Sequence, residues 1–99
     1  MTPLLYVFAF CQAIDGDTIS CGNERVRLAR INSVERGEPG FEQAKDAMRV
    51  MIEGKEVRCY VRKREKYGRL LGECGTAQTP SLSDTMLERG LAEPYRGKP

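Results

Sequence analysis

The sequence predicts an α+β chain dominated by strands, and three observations carry that reading. Stretches rich in β-branched and aromatic residues alternate with turn signals such as Asp15-Gly16, Gly22-Asn23 and Tyr67-Gly68. Two stretches instead have apolar residues at helical spacing, one after Gly40 and one after Ser81. No repeat, low-complexity tract or linker interrupts the order, so residues 1–99 are expected to form a single domain.

Residues 4 to 14 read as one long, partly buried strand. Thr18 to Cys21 is a short second strand, joined to the first by the Asp15-Gly16-Asp17 turn. Gly22-Asn23 turns into a third, Val26 to Ile31, with Val26 and Leu28 on one face and Arg25 and Arg27 on the other. Its alternation breaks at Ala29-Arg30-Ile31, which predicts a bulge or a change of partner. Arg36 to Gly40 is a loop, followed by a helix whose apolar face is Phe41, Ala44, Ala47, Met48, Met51 and Ile52, stopped at Gly54. Glu56 to Arg62 and Arg69 to Cys74 are the fourth and fifth strands, either side of a charged loop. Ser81 caps a second helix with Asp84 in its first turn, and Gly90 ends it. Leu91 to Tyr95 is expected to dock, and Arg96 to Pro99 to fray. Three meandering strands, a helix, two strands and a helix is the connectivity of a five-stranded barrel of the oligonucleotide-binding type (OB-fold).

The composition, 40% hydrophobic and 30% charged, is that of an ordinary folded domain. There is no histidine, which removes the commonest general base and histidine-based zinc or triad chemistry. Acid–base work is left to carboxylates, tyrosine or lysine. The apolar N-terminus lacks a cationic leader and is too short to span a bilayer, so no membrane association is expected. Cys11 and Cys21 are equidistant from Gly16, and Cys59 and Cys74 flank the Lys66-Tyr67-Gly68 turn. Each pair fits either a cross-strand disulfide, which implies a secreted or periplasmic protein, or buried thiols, which implies a cytoplasmic one.

The chemistry concentrates between Asp15 and Glu35. Asp17 on a tight turn suits a hard divalent cation, and Asn32 and Ser33, where the third strand ends, offer further oxygens. Asp is also common in turns without any function. Arg27 and Arg69 rise from rigid strands and could grip one phosphate, although surface ion pairing is the ordinary role of such residues. Arg58, Arg62, Lys63, Arg64, Lys66 and Arg69 form a basic window that reads as a solvated face or as a phosphate-binding rim.

Four motifs in order, Ile14-Asp15-Gly16-Asp17-Thr18-Ile19, Val26-Arg27-Leu28 through Glu35, Lys66-Tyr67-Gly68-Arg69 and Arg89-Gly90-Leu91-Ala92 with Tyr95, resemble the staphylococcal nuclease family. The resemblance implies a calcium-dependent (or other divalent-dependent) phosphodiesterase acting on DNA or RNA, single strands preferred, leaving 3′-phosphate ends. It assigns Asp17, Asn32 and Ser33 to the metal, Arg27 and Arg69 to the phosphate, Glu35 to the attacking water, and Lys66, Tyr67 and Tyr95 to the nucleotide. A monomer is expected. Asn32 stands where the family pattern has Asp, and Val34 where it has Pro. A site weakened in this way also fits an alternative: an OB-fold module that binds single-stranded nucleic acid without cleaving it.

Overall fold

The apolar N-terminal stretch forms two strands rather than one in the computed structural model, which describes residues 3–96. β1 (Leu4–Phe8) and β2 (Gln12–Ala13) are separated by a bend through Ala9 and Phe10. The reason is topological. β2 pairs antiparallel with β3 (Thr18–Cys21), whereas β1 pairs antiparallel with β6 (Val57–Arg64), far along the chain. With β4 (Glu24–Leu28) and β7 (Leu70–Gly75), the six-stranded sheet has the order β1-β6-β7-β4-β3-β2. Its two edges are therefore consecutive segments of one chain. Counted as one strand, they leave the five-stranded order of the expected barrel, including the parallel pairing of β4 with β7.

The third predicted strand also divides. β4 ends at Leu28, the chain turns at Ala29–Arg30, and β5 (Ile31–Asn32) pairs instead with β8 (Glu93–Pro94). The broken alternation at Ala29-Arg30-Ile31 thus marks a strand that changes partners. Leu91 and Ala92, just before β8, pack on the core as expected. Of the tail expected to fray, Arg96 is exposed and residues 97–99 lie outside the described residues.

The helices follow their sequence signals. α1 (Phe41–Ile52) buries Phe41, Ala44, Met48, Met51 and Ile52, the stripe its spacing predicts. Gly54, at φ 69°, adopts the left-handed conformation that ends it. α2 (Leu82–Glu88) is capped by Ser81, whose hydroxyl accepts from Asp84 N–H at 3.1 Å. α1 packs against β2 and α2 against β7, so that Met48, Ile52, Leu82 and Met86 share a core with Ile19, Val26, Leu28, Val57 and Leu70. All of these side chains are fully buried, each worth about 1.5–3 kcal/mol relative to exposure.

Both cysteine pairs are disulfides. Cys11 bridges Cys21 across the β2–β3 register, and Cys59 bridges its direct partner Cys74 on β6 and β7. Between Val61 and Lys63 the β6–β7 register shifts by one residue, a β-bulge at Arg62. Gly72 lies opposite it. A Cβ there would come within 2.3 Å of Tyr60 O and 2.9 Å of Val61 Cα, so only glycine admits this approach.

Candidate active site

The site begins with a glycine that has no room to be anything else. A Cβ on Gly16 would lie 2.1 Å from Ser33 Oγ and 2.9 Å from Ala44 Cβ. The Asp15–Asp17 turn therefore presses against both the β5–α1 loop and α1. That approach delivers Asp17, 7% exposed, to the backbone of Ser33. Ser33 N–H donates to Asp17 Oδ2 at 2.8 Å, and Thr18 Oγ1 donates to Asp17 Oδ1 at 3.0 Å. Asp15 braces the turn from within by accepting from Asp17 N–H at 3.0 Å. Its partial burial lifts its pKa above the ordinary carboxylate value, an effect that this hydrogen bond partly offsets.

Arg27 reaches the same place from the neighbouring strand, since Thr18 and Arg27 are register partners in the β3–β4 hairpin. Its guanidinium donates to the Leu28 and Ile31 carbonyls at 2.5 and 2.8 Å, and to Asn32 Oδ1 at 3.1 Å. It also stands 3.7 Å from Asp17 Oδ2. The turn between β4 and β5 curls the chain around this head, so one cation satisfies two carbonyls that face inward from the bend. Tyr95 lies over it, with the guanidinium carbon 5.5 Å from the ring centroid. Tyr95 is held there because its N–H donates to Arg30 O at 2.8 Å and because β8 pairs with β5. Ser33 Oγ donates to Leu91 O at 3.3 Å, which ties in the Gly90-Leu91-Ala92 segment.

Asp17, Arg27, Asn32, Ser33 and Tyr95 are thus brought together. Arg27 and Tyr95 open onto a cleft of about 740 Å³ across the outer face of β4, β7 and β6, and Arg69 lines the same cleft. Arg69 Nε pairs with Glu65 Oε1 at 2.7 Å, and among the described residues its terminal nitrogens make no hydrogen bond. Lys66 and Tyr67 are more remote. They stand on the exposed β6–β7 turn, made possible by Gly68 at φ 94°, and with Arg69 they line a second cleft of about 660 Å³. Glu35 makes no hydrogen bond to this cluster among the described residues. It is exposed on the β5–α1 loop, its N–H donates to Glu38 Oε1 at 2.9 Å, and it lines neither cleft.

The donor set suits a hard cation through oxygen alone: the Asp17 carboxylate, the Asn32 amide oxygen and the Ser33 carbonyl, which has no hydrogen-bond donor among the described residues. Among those residues no group of three acidic or cysteine side chains forms an all-anionic cage. Asp17 is the one formally charged donor in this oxygen set. Thr18, whose hydroxyl orients Asp17, and Gly16, whose missing side chain seats it, contribute to the site without carrying an ionisable group. The signal for both was the Asp-Gly-Asp-Thr string itself, read as one unit.

The curled sheet with its two helices is an OB-like α+β fold, and on it a caged arginine beside a buried carboxylate opens onto a basic cleft. The comparisons specify it further. The family described as Staphylococcal nuclease homologue matches residues 25–99. A rice protein (Oryza sativa subsp. japonica) described as "Probable staphylococcal-like nuclease CAN1" is 30% identical over 80 residues, 81% of this chain and 24% of that protein. Two proteins described as "Uncharacterized endonuclease", from Escherichia coli O157:H7 and Escherichia coli, are each 28% identical over 88 residues, 85% of this chain. The chain spans 58% of the length of each of these two. This chain belongs to the staphylococcal nuclease family.

Proposed function

We propose that the protein is a divalent-cation-dependent nuclease that hydrolyses phosphodiester bonds of single-stranded DNA or RNA and leaves 3′-phosphate ends. The observation that carries this reading is the convergence of Asp17, Arg27, Asn32 and Ser33 in one hydrogen-bonded cluster, whose Arg27 lines a cleft together with Arg69 and Tyr95. Asp17, Asn32 and Ser33 would hold the cation, with calcium the first candidate. When bound, it supplies Lewis-acid polarisation of a phosphoryl oxygen. Arg27 and Arg69 hold the remaining phosphoryl oxygens and stabilise the charge that grows on them. Glu35 accepts a proton from the water that attacks phosphorus in line with O5′. The P–O5′ bond breaks, O5′ takes up a proton from solvent, and the 3′ side keeps the phosphate. The Glu35 carboxylate is exposed on its loop and open to such a water. Lys66, Tyr67 and Tyr95 line the path of the strand. The residues 1–99 act as one domain and one monomer.

The two disulfides support an oxidising compartment, secreted or periplasmic, since such bonds persist there and are rare in the cytosol. No described helix is long and apolar enough to cross a membrane.

Incubation with single-stranded DNA and RNA, with calcium or with chelator, tests the assignment. Calcium-dependent fragments that a 3′-phosphatase converts to 3′-hydroxyl ends are expected. Binding without fragments under both conditions would replace the nuclease with a single-strand-binding module.

A further inference from the structure

The basic window between Arg58 and Arg69 is not one surface. Arg58 pairs with Glu56 at 3.1 Å, and Arg64 lines the second cleft, where both its terminal nitrogens meet the Glu24 carboxylate. Arg62 and Lys63 do something different. As neighbours on a regular strand they would point to opposite faces, yet both line the large cleft. The bulge at Arg62 is the cause: it absorbs one residue, so Lys63 returns to the outer face as the register partner of Leu71. Leu71 is also the partner of Arg27. Arg27, Leu71 and Lys63 therefore form one row across three strands, which sets the two cationic positions about 10 Å apart. Tyr60, 56% exposed, follows on the same face of β6 and lines the same cleft. Among the described residues no carboxylate pairs with Arg62 or Lys63.

From this arrangement we infer that Tyr60, Arg62 and Lys63 form a second nucleotide subsite. A base of a single-stranded nucleic acid stacks on Tyr60, and the phosphate one step from the bond held by Arg27 and Arg69 rests on Arg62 and Lys63. Stacking on an exposed ring beside fixed cations tolerates any base, so the subsite gives affinity and reach rather than sequence choice. Gly72, beneath the bulge, keeps the two cations on one face. The inference rests on the nucleic-acid reading of the cleft, but not on cleavage.

Binding in chelator separates the two. Fluorescence anisotropy with labelled thymidine oligomers, a dinucleotide and a dodecanucleotide, is measured for the parent, Tyr60→Ala, Arg62→Ala/Lys63→Ala and Arg58→Ala. All these side chains are exposed, so folding is retained, which circular dichroism checks. The parent should bind the longer oligomer more tightly. Tyr60→Ala should lose roughly 5- to 100-fold of that affinity, the value of one stacked base. The double variant should lower the salt slope by about one per phosphate contact removed. Arg58→Ala, a charge change outside the cleft, should alter affinity far less. If the parent binds in this way but cleaves nothing with calcium, the subsite stands and the nuclease reading falls. If Tyr60→Ala and the double variant bind the long oligomer as the parent does, or no more weakly than Arg58→Ala, the subsite is wrong.

Discussion

Gly16→Ala is the perturbation the structure prices most directly. The added methyl would meet Ser33 Oγ at 2.1 Å, Ser33 Cβ at 2.8 Å and Ala44 Cβ at 2.9 Å, all too close to persist. Either the site keeps its geometry under overpacking, at about 1–3 kcal/mol, or the turn retreats. Retreat gives up the hydrogen bond from Ser33 N–H to the Asp17 carboxylate, worth about 1.5–3 kcal/mol. Both routes cost ~2 kcal/mol, and at roughly 4–8 °C per kcal/mol for a domain of this size the melting temperature should fall by about 10 °C. Thermal unfolding in chelator measures this without metal. Ser33→Gly removes two of the three contacts, so adding it to Gly16→Ala should recover part of the loss, and the coupling in the double-mutant cycle should be favourable. A Gly16→Ala protein that melts within about 2 °C of the parent would refute the close-approach argument. It would also remove the reason Asp17 sits where it does.

The other predictions concern the site, the bridges and pH. Asn32→Asp adds a second formal charge to the oxygen set, and should lower the calcium concentration that gives half-maximal cleavage in a calcium titration of rate. Glu35→Gln and Arg69→Lys should each reduce turnover by roughly 10²- to 10³-fold while oligonucleotide binding in chelator largely remains, because one loses the proton acceptor and the other a bidentate fork. Thiol titration of the unreduced, denatured protein should find no free thiol, and replacing Cys59 and Cys74 by Ser should lower stability by about 2–4 kcal/mol in urea titration, given the 15-residue separation they close. The hydrogen bond from Arg30 holds the Asp84 pKa below its usual value. A lowered folded-state pKa contributes stability above the unfolded value that disappears as pH falls through the folded one, so this pair stabilises at neutral pH and its contribution is lost in acid, below about pH 4. Asp84→Asn should therefore lose less stability between neutral and strongly acidic buffer than the parent does.

Local chemistry was enough for much of this protein. The stripe from Phe41 to Ile52, the Gly54 stop and the Ser81 cap each depend on residues within one or two turns, and both helices form where those signals stand. The cysteine spacings measured hairpins that fold on themselves, so Cys11 and Cys21, equidistant from Gly16, and Cys59 and Cys74, flanking the Lys66–Gly68 turn, were already matched as partners, though their oxidation was left open. The cluster around Arg27 was legible for a similar reason, because Arg27, Asn32 and Ser33 lie on one bend of the chain, beside the turn that carries Asp17. Other features depend on residues that meet only after the sheet closes. The N-terminal run breaks at Ala9–Phe10 because its halves serve opposite edges of one sheet, which no local pattern encodes. The basic window divides because one bulged residue re-aims Lys63, while Glu24 and Glu56 claim Arg64 and Arg58. Glu35 is adjacent to the cluster in sequence yet shares no hydrogen bond with it among the described residues. The loop that bears it is ordered by its own turn with Glu38, whereas Asp17 and Arg27 are fixed by register across the sheet.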